Sequence, residues 1–97
     1  GAKLEIRMEL SDEARGEIGK GGMDFLSLLS SLLSECDWGD DQISEAISNA
    51  CESAGISRRE GYASIYWALI GRSFGPKASS LLCEMDKESV LTLLGSA

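Results

Sequence analysis

The fold is decided by residues 43–60, which read ISEAISNACESAGISRRE. Apolar side chains recur here every three to four residues, a spacing that predicts one buried face of an α-helix. They are Ile43, Ala46, Ile47, Ala50, Cys51 and Ala54. Gly55 follows where a left-handed C-terminal cap ends a helix. Ser57 and Glu60 then form a capping box, so a second helix begins directly after the first.

The helical pattern extends toward the N-terminus. Ser11, followed by two acidic residues, is a predicted N-cap. Four glycines follow it, at Gly16, Gly19, Gly21 and Gly22. Each costs about 1 kcal/mol in a helix interior, so we expect this helix to be short or to break there. The next predicted helical face, between Met23 and Glu35, consists of Phe25, Leu28, Leu29, Leu32 and Cys36. Residues 38–41 predict a turn that supplies the following N-cap.

Three further helical segments follow the capping box. The buried face of the helix that it opens is predicted to be Tyr62, Ile65, Tyr66 and Leu69, with an end near Gly71. Pro76 suits the first turn of a short helix, where its missing N–H has no cost. That helix carries Ala78, Leu81, Leu82 and Met85. Asp86 is the predicted cap of a last helix, which Gly95 ends and whose apolar residues are Val90, Leu91, Leu93 and Leu94.

These patterns predict an all-α fold, a compact bundle of five to six short helices. Residues 3–10 differ, because their apolar residues alternate and predict a strand. No other segment alternates, so the strand would pair with another copy, pair with other parts of a longer protein, or lie extended on the helices. We therefore expect an extended segment at 1–10 and a helical domain at 11–97. Because the chain begins Gly1-Ala2, like the remnant of a cleavage site, we expect it to be a fragment of a larger protein.

Composition argues against catalysis within this chain. The sequence contains no histidine, so no imidazole can act as a base or metal ligand. Its three cysteines lack zinc-site spacing, and their odd number without a secretion signal favours free, packed thiols in a reducing cytoplasm. Glycine motifs for phosphate or a serine nucleophile are missing, as is an apolar run of about 20 residues. We expect no catalytic residue, no metal, no cofactor and no membrane contact.

Charge is distributed unevenly along the chain. The net charge is −7, and all of the excess acid lies in the first fifty residues. Residues 57–80 instead hold four basic residues and one acidic one, and they include Tyr62, Tyr66, Trp67 and Phe74. Basic groups for phosphates beside aromatic faces for unstacked bases are typical of an RNA-contacting surface. The same residues also fit a structural interpretation, in which the aromatic rings are core and the charges are solvated.

Residues 65–77, IYWALIGRSFGPK, resemble a segment of the C-terminal helical domain of class I lysyl-tRNA synthetases. That family shows aromatic-x-x-Leu-Leu-Gly-basic-x-x-Gly-Pro-basic near its end. The sequel at 81–91, LLCEMDKESVL, fits the family's short helix, turn and final helix. Upstream, LSDE at 10–13, DDQI at 40–43 and AGI at 54–56 fall in the family's order. The resemblance covers roughly residues 10–94, with departures in the glycine-rich first helix and in ASS at 78–80 after the Gly-Pro-basic segment.

Two other hypotheses remain open. Bacterial-type glutamyl-tRNA synthetases share this architecture and a similar Gly-Pro segment, although Tyr66 and the turn at 85–87 favour the lysyl family. The alternative from a different class is an acidic helical module that binds protein through residues 3–10 or through an exposed apolar face. The net charge of −7 and the unpaired strand favour that module, whereas the ordered set of motifs favours the lysyl family.

The resemblance implies a cytoplasmic parent enzyme that attaches lysine to its tRNA with ATP and magnesium. The catalytic half of such enzymes carries a histidine-rich signature, which this chain lacks. The chain is therefore expected to bind the anticodon arm of tRNA, beside the catalytic domain of the same polypeptide. It is expected to hold no cofactor itself.

Candidate RNA contacts are the basic residues around the Gly-Pro segment. Arg72 and Lys77 are predicted to contact phosphates beside a helix N-terminus at Pro76. Arg58 and Arg59, at the start of the preceding helix, are further candidates.

The aromatic residues divide into two groups. Trp67 and Phe74 lie off the predicted buried face and are candidates for stacking on bases. The predicted core residues of this segment are Tyr62, Tyr66 and Leu69. Gly71, Gly75 and Pro76 are interpreted as structural residues that fix the turn.

Overall fold

A computed structural model describes residues 10–95 of the chain as five α-helices. They are α1 (Asp12–Glu35), α2 (Asp40–Ala54), α3 (Arg58–Ile70), α4 (Ala78–Glu84) and α5 (Lys87–Gly95). Helix α1 packs against α2, α3 and α5, and α4 packs against α2. The all-α prediction is confirmed, and residues 10–95 contain no strand. The predicted strand at 3–10 lies outside the described residues except for Leu10, which is buried.

Helix α1 is interrupted at Gly19. The Ser11 hydroxyl accepts a hydrogen bond from the Ala14 N–H at 3.1 Å, which confirms the predicted N-cap. Gly19 has φ 71° and ψ 178°, a conformation that glycine adopts readily and other residues avoid. The expected break in the glycine-rich region therefore occurs at this one residue.

The buried face of α1 differs from the prediction. Its buried apolar residues after the break are Phe25, Leu26, Leu29 and Leu33. Of the predicted face, Leu28 is 39% exposed, while Leu32 and Cys36 are half-buried. Phe25 and Leu29 are confirmed as buried, whereas Leu28 was wrongly assigned to the buried face and Leu26 and Leu33 were missed. Leucines occur at five of the eight positions from 26 to 33, so periodicity alone could not fix which side turns inward. Packing against α2, α3 and α5 selects the side.

The connection between α2 and α3 matches the prediction closely. Gly55 ends α2 by donating its N–H to the Glu52 carbonyl at 3.2 Å. The Ser57 hydroxyl accepts from the Glu60 N–H at 3.1 Å and begins α3, as the capping box predicts. The predicted face of α2 is buried from Ile43 to Cys51, and Ala54 is half-buried.

Helix α3 is enclosed on most of its circumference. Its buried residues are Gly61, Ser64, Ile65, Tyr66, Ala68 and Leu69. The predicted core is confirmed except that Tyr62 is half-buried. A Cβ atom at Gly61 would collide with the Cys51 sulfur and would lie 3.2 Å from the Phe25 ring. Helices α1, α2 and α3 therefore meet at a position that has room only for glycine.

Helix α4 begins at Ala78, so the prediction that Pro76 lies in its first turn was wrong. Pro76 precedes the N-cap residue Lys77, and its carbonyl accepts a hydrogen bond from the Tyr66 side chain of α3 instead of from a helical N–H. The predicted cap of α5 is confirmed, since the Asp86 carboxylate accepts from the Ser89 N–H at 3.0 Å.

The three cysteines are free thiols, as expected, with Cys51 buried and Cys36 and Cys83 half-buried. Among residues 10–95, no group of histidine, cysteine, aspartate or glutamate side chains is arranged to hold a metal ion. None of the described helices has the length and apolarity that a membrane crossing requires.

Replacing Gly61 with alanine tests the helix crossing. We expect Gly61→Ala to lower the free energy of unfolding by about 1–3 kcal/mol, because the added methyl group overpacks the contact with Cys51 and Phe25. Gly16→Ala is the matched control, since a Cβ there meets nothing within 4 Å, and it should stabilise the helix by up to about 1 kcal/mol. Urea unfolding followed by circular dichroism measures both, and equal stabilities of the two variants would contradict the described crossing.

Candidate nucleic-acid interface

The segment between α3 and α4, residues 71–77, is called the Gly-Pro loop below. Gly71 ends α3 with φ 70°, and its N–H donates to the Tyr66 carbonyl at 3.1 Å. Gly75 lies against α3, where a Cβ atom would come within 3.2 Å of the Tyr66 ring and 2.8 Å of the Ile70 side chain. The Gly-Pro loop therefore folds back onto the helix that precedes it.

Tyr66 fixes this arrangement from α3. Its hydroxyl donates a hydrogen bond to the Pro76 carbonyl at 2.6 Å, and its ring is buried. Burial, with a smaller effect of Tyr62, raises the pKa of the Tyr66 phenol. Tyr66 therefore remains a neutral hydrogen-bond donor at physiological pH.

Asp40, the first residue of α2, fixes the other end of the loop. One carboxylate oxygen accepts from the Ser79 hydroxyl at 2.8 Å and from the Lys77 ammonium at 3.1 Å. The other accepts from the Ser80 hydroxyl at 2.5 Å. The hydrogen bonds from Ser80, Ser79 and Lys77, in that order, lower the pKa of Asp40 from 3.8 to about 2.

The turn at 38–41 supplies the N-cap of α2 through Gly39, without a side-chain hydrogen bond. The carboxylate of Asp40 instead bonds residues at the start of α4. A negative charge thus lies close to the place where the sequence predicted a phosphate, and a phosphate there would have to displace Asp40 from Lys77.

The predicted basic residues lie in different surroundings. The Arg72 guanidinium lies 5.7 Å from the centroid of the Phe74 ring, a cation–π distance. Arg58 donates to the Ser48 hydroxyl at 2.7 Å and is thereby tied to α2. Lys77 is paired with Asp40, although its side chain is 68% exposed. Their roles in RNA binding stay predictions.

A groove of about 490 Å³ separates α3 from the Gly-Pro loop. It is lined by Arg59, Tyr62, Ala63, Tyr66, Ser73, Phe74 and Gly75. Arg59 and Phe74 therefore line the same groove. Arg72 lies next to this groove, because its guanidinium lies over the Phe74 ring. Among the residues described as lining the groove there is no aspartate or glutamate. We name this site the α3–loop groove.

The α3 wall of this groove was not predicted from the sequence. Tyr62 was assigned to the core, yet it is half-buried and lines the groove as well. The spacing of Arg59, Tyr62, Ala63 and Tyr66 places all four on one stripe of α3, and that signal could have identified the wall. Trp67, the other predicted stacking residue, is half-buried on α3 and is not among the groove residues.

The acidic residues are concentrated on other elements. Residues 21–57 contain seven aspartates and glutamates and no lysine or arginine. This stretch forms the second part of α1 and all of α2. The surface of α2 therefore repels a polyanion, whereas the α3–loop groove does not.

Comparisons with known proteins identify one protein family and two relatives of the same kind. A protein-family model described as "Anticodon binding domain" matches residues 4–96. A lysine–tRNA ligase from Aeropyrum pernix is 33% identical over 97 residues, covering 98% of this chain and 17% of the relative. A lysine–tRNA ligase from Methanosphaera stadtmanae is 29% identical over 86 residues, covering 88% of this chain and 15% of the relative. The chain thus spans less than a fifth of either relative, and no solved structure matches it significantly.

The lowered pKa of Asp40 leads us to expect that the free energy of unfolding depends on pH in the acid range. Because the pKa is lower in the folded state, the ionised carboxylate stabilises the fold above about pH 4, and this contribution is lost as the pH falls through about 2. We expect Asp40→Asn to be less stable than the wild type at neutral pH and to lose less stability between pH 4 and 2.

Urea unfolding at these pH values measures the effect. Asp41→Asn is the matched control, because it removes the neighbouring carboxylate of the same helical turn, so the difference between the two variants isolates the hydrogen bonds of Asp40 with Ser79, Ser80 and Lys77. Identical pH dependence in Asp40→Asn and the wild type would mean that the carboxylate does not hold α4.

Proposed function

The chain belongs to the anticodon-binding domain family, and we propose that it binds the anticodon arm of tRNA as a domain of a class I lysine–tRNA ligase. The observation that carries the proposal is the family match over residues 4–96. Lysine is favoured over glutamate because both of the relatives described above are lysine–tRNA ligases. The α3–loop groove supports the proposal physically, since it is aromatic and basic in a chain whose net charge is −7.

The bases of an anticodon are unpaired, so they can turn outward and stack on aromatic or guanidinium planes while their phosphates meet cations. Phe74 and Arg72 offer such a stacked pair on the Gly-Pro loop, and Arg59 faces them from α3. Lys77 would exchange its ion pair with Asp40 for a phosphate. Arg58 and Trp67 lie on the same helix as Arg59 and would extend the contact surface.

In this proposal the ligase reaction belongs to the remainder of a longer parent protein, which is supported by the chain corresponding to only 15–17% of its relatives. ATP and magnesium would bind there, and the work of this domain would be to select and orient the tRNA. Its partners in this proposal are tRNA and the catalytic domain of the same polypeptide, in the cytoplasm.

Binding of transcribed lysine tRNA and glutamate tRNA at about 50 and 200 mM salt tests the function. We expect the chain to prefer lysine tRNA and to bind more weakly at the higher salt concentration. Arg72→Ala/Lys77→Ala should weaken binding and reduce the slope of log affinity against log salt by about 0.7–0.9 for each phosphate that is no longer neutralised. Arg15→Ala/Lys20→Ala is the matched control, because it removes the same charge from α1 and should change binding less.

Three outcomes would contradict the proposal. Preference for glutamate tRNA would assign the chain to the glutamyl enzymes. Equal binding of a lysine tRNA with an altered anticodon would exclude recognition of the anticodon. Failure to bind any tRNA would favour the acidic protein-interaction module.

A further inference from the structure

A second groove lies between α1 and α2, and it shares no described lining residue with the α3–loop groove. It consists of cavities of about 180 and 380 Å³. The smaller cavity is bounded by both helices, through Leu32, Cys36, Glu45 and Asn49. The larger cavity is bounded by the same helices, through Asp24, Leu28, Ser53 and Ala54. We name these residues together the α1–α2 groove.

The α1 side of this groove is apolar although it faces solvent. Leu28 is 39% exposed, and it is one of two large apolar side chains that are exposed among residues 10–95. Leu32 and Cys36 are half-buried, and the spacing of four residues places all three on one side of α1. Among residues 10–95, no helix other than α1 and α2 lines these cavities. The rest of the described fold therefore leaves an apolar stripe of α1 uncovered, and such stripes mark interaction sites.

Acidic side chains border this apolar stripe. Asp24 lines the larger cavity and Glu45 the smaller one. Residues 21–57, which supply both walls, contain seven acidic residues and no basic one. Lys87 of α5 donates to the Cys36 carbonyl at 3.2 Å, so one positive charge lies at the end of the groove. The rim is otherwise negative, and it is suited to a cationic partner.

Charge and apolarity together indicate what covers the α1–α2 groove. RNA is repelled by its acidic rim, and a second copy of the chain would bring two acidic faces together. A helix with apolar residues on one side and basic residues beside them complements both the stripe and the rim, in the manner of helices that lie in grooves. The chain spans less than a fifth of each lysine–tRNA ligase that it matches. A parent of that length holds most of its residues outside this domain and can supply such a helix.

We propose that the α1–α2 groove is the surface through which this domain docks on the remainder of its parent protein, and that a basic amphipathic helix of that remainder occupies it. Its apolar side chains contact Leu28 and Leu32, and its lysines or arginines face Asp24 and Glu45. This inference rests on the proposed function for the existence of the longer parent. Within one polypeptide the effective concentration of the helix is in the millimolar range, so a modest groove is sufficient.

The test compares thiol labelling in the chain and in the full-length parent. Asn49→Cys introduces an exposed thiol into the α1–α2 groove, and Ser34→Cys introduces a matched control at an exposed position of α1 that lines neither cavity. We expect Asn49→Cys to react with a maleimide about 10-fold more slowly in the parent, because a millimolar effective concentration keeps a contact with a dissociation constant of about 0.1 mM closed about nine-tenths of the time. Ser34→Cys should react equally fast in both.

Two further variants of the parent separate apolar from charged contacts. Leu28→Ser, and separately Asp24→Asn/Glu45→Gln, should each restore fast labelling of Asn49→Cys. Glu17→Gln/Glu88→Gln is the matched control, because it removes the same charge at exposed positions outside the groove, and it should leave the slow labelling unchanged. Circular dichroism of each variant establishes that the fold is intact.

Carbodiimide coupling, which joins carboxylates to lysines in contact with them, identifies the occupant. We expect it to link Asp24 or Glu45 to a lysine outside this domain. Coupling to Lys3 would assign the groove to the N-terminal segment of the chain, and concentration-dependent coupling between two copies would assign it to a dimer. Either result would overturn the inference.

The outcomes separate this inference from the proposed function. Equally fast labelling of Asn49→Cys in the chain and in the parent would overturn the docking surface, while tRNA binding would be unaffected. Failure of the chain and of its parent to bind tRNA would overturn the proposed function, whereas slow labelling of Asn49→Cys in that parent would still support the docking surface.

Discussion

The carboxylate of Asp40 holds together the part of the structure on which the candidate site depends. It bonds Ser79 and Ser80 at the start of α4 from its place at the start of α2. Helix α4 has seven residues, too few to be stable alone, so external contacts must fix it. On the opposite side of the loop, the Tyr66 hydroxyl of α3 donates a hydrogen bond to the Pro76 carbonyl. The Gly-Pro loop is therefore attached to both α2 and α3. These contacts attach the loop on either side of Phe74, whose side chain is 67% exposed.

The same carboxylate affects the local charge around the Gly-Pro loop. It places negative charge at the N-terminal end of α4 and pairs with Lys77, whereas neither Arg59 nor Arg72 is paired with a carboxylate among the salt bridges of the described residues. The acidic stretch at 21–57 occupies α2 and the second part of α1. A chain of net charge −7 is compatible with the proposed RNA binding, because no aspartate or glutamate is among the residues that line the groove, although Glu60 lies next to Arg59 on α3.

Much of the fold could be predicted because helix ends are set by local chemistry. The caps at Ser11, Gly55, Ser57 and Asp86 each depend on residues within five positions in the sequence, and all four are present in the structure. The face of α1 and the start of α4 could not be predicted, because they depend on long-range contacts. Periodicity cannot choose among adjacent leucines, and only the folded chain brings Tyr66 to the Pro76 carbonyl.

The sequence predicted two of the residues that line the candidate site as RNA contacts, Arg59 and Phe74, but not the shape of the groove. Arg59, Arg72 and Phe74 were identified from the composition of residues 57–80 and from the resemblance. The groove arises only when the Gly-Pro loop folds back onto α3, and this brought Tyr62 into the site and placed Lys77 against Asp40. The shape of the groove depends on distances between side chains of different helices and loops, and the sequence pattern of one segment does not contain those distances.

Mapping an anticodon stem-loop of lysine tRNA onto the ¹⁵N-labelled chain by NMR tests the central claim most directly. We expect amide and side-chain shifts to change at Arg59, at Tyr62 and within residues 72–75, while the exposed residues of α2 remain unchanged. Changes concentrated on α2, or spread evenly over the surface, would contradict the claim that RNA is bound at the α3–loop groove.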